Sequence, residues 1–191
     1  MIKTGIYGGS FNPIHNGHIA LAKAFLRQAA LDEVWFVVSP QNPFKVNDHL
    51  LDDRWRLRLT KAALQGETRL MASDYEFHLP KPSYMWHTLQ SMSREYPDRE
   101  FTLLIGGDNW TTFHRWYHAD DILSHYSLAV YPRKDNPIDT ATLPPNVQLI
   151  NAELLDISST EVRHRITKGQ DISHLVPPRV AELITKNHLY F

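Results

Sequence analysis

Cysteine is absent from the 191-residue chain. That excludes disulfides, thiol catalysis and cysteine-ligated zinc or iron–sulfur centres. An excess of one charge is missing too: Lys+Arg 20 against Asp+Glu 21 gives a formal net charge of −1. No global field therefore draws the chain to nucleic acid or to an anionic membrane. Long hydrophobic runs are lacking, since the apolar stretch Val34 to Val38 is far too short to span a bilayer. The N-terminus has no signal-peptide pattern. These absences predict a cytoplasmic protein with neither nucleic-acid nor membrane partners, and leave a homo-oligomer compatible with the sequence. No internal repeat, low-complexity tract or composition shift divides residues 1–191, which read as one domain. The eleven histidines are scattered, and most are expected on the surface.

What is present is concentrated early. Ile2 to Tyr7 reads as a strand, and Ile19 to Leu26 as a helix. Between them lies Gly8-Gly9-Ser10-Phe11-Asn12-Pro13-Ile14-His15-Asn16-Gly17-His18. The two glycines allow close backbone approach to a ligand, and Asn12 before Pro13 is pushed into an extended turn. His18 falls at or just inside the helix start, where unpaired N–H groups and a partial positive charge favour anions. Two imidazole donors beside that end make a place for the phosphates of a nucleoside triphosphate. Neither the Walker pattern nor G-x-G-x-x-G occurs. Histidines at i and i+3 without a third ligand argue poorly for zinc. The bland alternative is a glycine turn with two histidines on a helix cap.

Apolar runs alternate with helical patterns along the whole chain, predicting βαβ units and a parallel sheet. Strands are expected at Val34 to Val38, near Leu70-Met71, at Phe101 to Ile105, Ser127 to Tyr131 and Val147 to Ile150. Helices are expected over Leu50 to Leu64, Tyr84 to Tyr96, Ala119 to Leu123, from Ser158, and over Arg179 to Lys186 behind Pro178. Val180, Leu183 and Ile184 form the last helix's apolar stripe. Ligands bind such sheets at the carboxyl ends of the strands, and every motif here follows a strand or opens a helix.

Ile105-Gly106-Gly107-Asp108 closes a strand with two glycines and a carboxylate, which suits close approach to a nucleotide. Asp108 would accept from ribose hydroxyls or help hold Mg²⁺; as a purely structural residue it would N-cap the next helix. Ile157-Ser158-Ser159-Thr160-Glu161-Val162-Arg163 has capping-box form, and a well-capped helix with a surface arginine would account for it.

In combination these motifs resemble the H-x-G-H nucleotidyltransferase superfamily and, within it, the bacterial nicotinate-nucleotide adenylyltransferases. The resemblance implies a Rossmann-like, doubly wound parallel α/β sheet of nucleotidyltransferase type. It implies adenylyl transfer from ATP, with Mg²⁺, to nicotinate mononucleotide. Gly8, Gly9, Ser10, Phe11, His15, His18, Gly107, Asp108, Ile157, Ser158 and Arg163 would then lie at ATP, with His15, His18 and Arg163 catalytic and Arg163 on the outer phosphates. Ser39, Lys45, Tyr84, Trp116, Tyr117 and Arg133 would lie at the mononucleotide. The pyridine ring would stack on Trp116, the Tyr117 backbone would read its carboxylate, and Lys45 and Arg133 would face phosphate. One departure stands out: relatives continue Pro-Ser-Tyr with threonine, and this chain has Met85, which removes a hydroxyl expected at that carboxylate. Phosphopantetheine and cytidylyl transferases share the superfamily chemistry, and a nucleotide-binding module without turnover is the reading from another class.

Overall fold

A computed structural model describes residues 1–40, 50–153 and 155–191. Lys45 lies outside them. Six strands form one sheet: β1 (Ile2–Gly9), β2 (Glu33–Val38), β3 (Leu70–Ser73), β4 (Arg99–Gly106), β5 (Ser127–Tyr131) and β6 (Val147–Leu149). All neighbours are parallel, in the order β3-β2-β1-β4-β5-β6. The winding reverses between β1 and β4, so their carboxyl ends flank the crevice at which such sheets take ligands.

Strand alternation divides the core in two. Tyr7, Val34, Phe36, Val38, Leu104, Ala129 and Tyr131 face one layer, packed with Leu21 and Phe25 of helix α1 (Asn16–Gln28), Leu59 of α2 (Asp53–Ala63), Val162 of α6 (Ser159–Thr167) and Val180 of α7 (Pro178–Lys186). Ile6, Trp35, Val37, Leu103, Ile105, Leu128 and Val130 face the other, with Leu89 and Met92 of α3 (Met85–Glu95) and Ile122 of α5 (Ala119–His125). The continuous apolar run of β2 follows from this: a sheet covered on both faces has no polar side.

The sequence-based elements match to within a few residues, as boundaries usually do. The stripe of α7 is narrower than expected, with Val180 and Ile184 buried and Leu183 only partly so. Asp108 does not N-cap; that position is Gly106, and Asp108 lies inside the short helix α4 (Gly107–Thr111). At α6 only half of the capping box forms. Ser158 accepts from Glu161 N at 3.1 Å, whereas the Glu161 carboxylate turns to Arg165 at 3.2 Å.

Candidate active site

The two histidines cap their own helix. His15 is the N-cap of α1, and its Nδ1 accepts from Gly17 N at 3.1 Å and His18 N at 3.3 Å. His18, third in the helix, returns the bond by accepting from His15 N through its own Nδ1 at 3.0 Å. It is a capping box built of imidazoles. Because both Nδ1 atoms accept, each ring keeps its proton on Nε2 and is neutral. Burial, with Arg133 adding to it, lowers His15 to about 4. Burial, then the neighbouring His15 and Arg133, hold His18 well below its usual value. The bland reading and the chemical one therefore coexist: Nδ1 holds the helix, and Nε2–H is left as a donor.

The loop leading to these rings is held from four directions. Buried Phe11, at φ 45, sets its ring edge-on to Tyr7 (5.3 Å) and His18 (5.1 Å). The carbonyl of Asn12 accepts from Arg163 Nη1 at 2.7 Å, and that of Pro13 from Ser159 Oγ at 2.8 Å. Asn16 N donates to Leu175 O at 2.9 Å. Ile157 reaches the same place, because a Cβ on Gly17 would fall 3.7 Å from its Cβ and 2.9 Å from His15 Cε1. Glycine is thus required at the centre of the motif by the ring that caps it.

Arg56 is a further anchor, which the sequence reading did not single out within Leu50 to Leu64. It is fully buried. Its guanidinium donates to Ser10 O (2.7 Å), Ser39 O (2.8 Å) and Leu51 O (2.8 Å) and pairs with Asp53. Ser39 N in turn donates to Gly9 O at 2.9 Å. The ends of β1 and β2 are thereby locked together. A signal was available: Arg56, Leu59, Thr60 and Ala63 share one buried helical face, so a charge stood within the stripe.

Across the switch point, Gly107 and Asp108 follow β4, and Asp108 Oδ1 lies 3.6 Å from Arg133 Nε. Arg133 Nη2 donates to Tyr131 OH at 3.2 Å. Arg133 also disfavours protonation of both histidines, and its approach to Asp108 joins a residue that the sequence had assigned to the mononucleotide to one assigned to ATP.

On the other face, Tyr84 N-caps α3 through its backbone and packs on Tyr117 at 4.9 Å between ring centres. Trp116 leans on Phe113 at 5.2 Å, and its shielded Nε1 has no hydrogen-bond partner. Met85 extends over the end of β1, where a Cβ on Gly8 would fall 2.8 Å from its Cε. Behind this face the buried Glu76 accepts from Thr88 Oγ1 at 2.8 Å. Burial raises its carboxyl, opposed by hydrogen bonds from Thr88, Ser39 and Ser83. Nothing local in the sequence marks Glu76, whose partners come from three other segments.

Among the described residues no three His, Asp or Glu side chains gather as a metal cage, and no helix is long and apolar enough to cross a membrane.

Known proteins resemble this chain over nearly its whole length. The family model described as cytidylyltransferase-like matches residues 6–165. A probable nicotinate-nucleotide adenylyltransferase of Bacteroides fragilis is 48% identical over 182 residues, covering 95% of this chain and 90% of its own. One of Cytophaga hutchinsonii is 44% identical, covering 99% and 98%. Among solved structures, Plasmodium falciparum nicotinic acid mononucleotide adenylyltransferase complexed with NaAD superposes with a TM-score of 0.84 over 100% of this chain and 98% of that one, at 22% identity, which bears on the fold. On its sequence and its six-stranded parallel sheet, the chain belongs to the cytidylyltransferase-like family and, within it, to the nicotinate-nucleotide adenylyltransferases.

Proposed function

We propose that His15, His18 and Arg163 carry the family's reaction in this chain, in which the adenylyl group of ATP passes to nicotinate mononucleotide to give deamido-NAD and pyrophosphate. The observation that supports it is the mutual cap of His15 and His18, which engages both Nδ1 atoms and leaves neutral Nε2–H donors. The first N–H groups of α1, expected from the sequence to be unpaired, are taken by Leu175 O and His15, so the helix end contributes its dipole. A phosphate oxygen of the mononucleotide attacks the α-phosphorus of ATP. The bond from that phosphorus to the bridging oxygen breaks, and its electron pair leaves on pyrophosphate. The attacking phosphate is largely dianionic at neutral pH, its second pKa being about 6, so no protein base has to remove a proton. What the chain supplies is in-line positioning and donors to charge that builds on the phosphates.

The two Nε2–H groups and the α1 N-terminus face the transferred phosphoryl group. Arg163 and the Ile157-Ser158 corner hold the outer phosphates. Arg133, whose field reaches both histidines, adds a cation at that same place. Gly8 to Phe11, Gly107 and Asp108 line the nucleotide, while Ser39, Tyr84, Trp116 and Tyr117 form the acceptor side. Mg²⁺ fits as a passenger on the triphosphate: it prefers phosphate oxygens with one or two carboxylates, and Asp108 is such a carboxylate on the rim. When bound, it would neutralise phosphate charge.

The test is pyrophosphate release with ATP and Mg²⁺, offering nicotinate mononucleotide, nicotinamide mononucleotide and phosphopantetheine in parallel. Turnover favouring the nicotinate form is expected. His18→Ala should lower it roughly 10²–10³-fold, as loss of an oxyanion donor does. Near-normal turnover in that variant would refute the assignment.

A further inference from the structure

Asn187-His188-Leu189-Tyr190 follow α7. Leu189 is buried, which anchors the segment beside α7. The next residue, Tyr190, adopts φ 64 and turns its ring to the loop that precedes the histidines. Its hydroxyl donates to Asn12 Oδ1 at 2.8 Å. That oxygen also accepts from Leu51 N at 3.2 Å, and the Asn12 carbonyl accepts from Arg163 Nη1 at 2.7 Å. Asn12 is therefore fixed through its side chain by Tyr190 and Leu51, and through its backbone fixes an arginine.

We infer that Tyr190 is a positioning residue, which holds Asn12 and through it the Arg163 guanidinium and the run into His15. Asn12 is only 5% exposed, and a buried amide oxygen that loses a donor is driven to rearrange in search of another. The rearrangement would be felt at the Asn12 carbonyl and hence at Arg163. Burial raises the Tyr190 phenol far above its usual range, opposed by Arg56 and Arg163 nearby. The hydroxyl is thus a donor at every working pH. This inference rests on the assignment of Arg163 to the outer phosphates of ATP.

Tyr190→Phe keeps the ring and removes only the donor. In the full chain, ATP and nicotinate mononucleotide are varied separately for the wild type, Tyr190→Phe, Arg163→Ala and the double variant. Tyr190→Phe is expected to lose roughly three- to tenfold in kcat/KM for ATP, the range of one hydrogen bond, with KM for the mononucleotide unchanged. It should lose little or nothing more when added to Arg163→Ala, since the two act on one element. Asn12→Ala, which removes the acceptor, should repeat the pattern. Phe191→Ala, at an exposed position, should leave activity unchanged. Wild-type ATP kinetics in Tyr190→Phe, or a loss that adds in full to that of Arg163→Ala, would overturn the inference. An impaired Arg163→Ala beside a normal Tyr190→Phe removes the inference alone; a normal Arg163→Ala removes the assignment beneath it.

Discussion

The imidazoles of His15 and His18 lie face to face, their centroids 3.6 Å apart and their planes inclined by 25°. Each accepts a backbone hydrogen bond through Nδ1. Protonating either ring would put a donor where an acceptor is needed and a charge where burial disfavours it.

A stability prediction follows from that geometry. His15 titrates near 4 in the fold against about 6.5 when unfolded. The unfolded chain therefore binds the extra proton between these values, and stability must fall as pH falls from 6.5 to 4, being fully present above 6.5. The His15 contribution is at most on the order of 3 kcal/mol. His15→Asn keeps an N-cap acceptor and removes the titration. Urea unfolding at several pH values should therefore show a flatter profile for this variant over that window.

Arg56 should be the costliest single loss in the α2 region. Its removal takes a buried donor from the carbonyls of Ser10, Ser39 and Leu51 and leaves Asp53 with the more distant Lys81 at 3.8 Å. Arg56→Met is expected to destabilise by about 3–5 kcal/mol, the range for breaking one side of a buried pair. Arg56→Lys should recover only part, because an ammonium cannot reproduce the planar fork. Chemical denaturation checks both.

Glu76 runs the opposite way from His15. Its carboxyl is raised in the fold, chiefly by burial, so the neutral form is favoured there. Stability from this group is present at acid pH and lost as pH rises through its folded value. Glu76→Gln retains an acceptor for Thr88 without the charge, and its melting temperature at pH 8 should equal or exceed that of the wild type. Glu76→Ala, which leaves the Thr88 hydroxyl only its longer bond to Tyr84 O at 3.3 Å, should melt lower.

Met85 bears on acceptor choice. Its methyl group rests against Gly8, where relatives are expected to carry a hydroxyl. Met85→Thr should raise the preference for nicotinate over nicotinamide mononucleotide, in the ratio of kcat/KM values, by roughly tenfold or less, the yield of one hydrogen bond. An unchanged ratio would show that carboxylate reading does not pass through this side chain.

The strands were readable because a doubly covered sheet leaves long apolar runs, and β2 and β4 carry them plainly. The histidine motif was readable because its spacing, its glycine and the strand before it all agree. That two histidines could sit on a helix cap was among the readings; that each side chain caps through the other's backbone was not, since cap preferences point to Ser, Thr, Asp and Asn. Glu161 suggested a capping box, but Arg165 one turn on offered its carboxylate a charged partner. The meeting of Arg133 with Asp108 depends on β4 and β5 being neighbours, a fact of topology that no local spacing carries.

The histidine motif is complete within the first eighteen residues, but the bonds that shape its loop come from Arg56, Ser159, Arg163 and Tyr190. A nascent chain emerging from the ribosome thus carries the motif long before it carries the geometry. The same holds for a fragment cut before Tyr190. The shape of this loop therefore registers the docking of segments far apart in the sequence, and losing any one of them would disturb a motif that is itself intact.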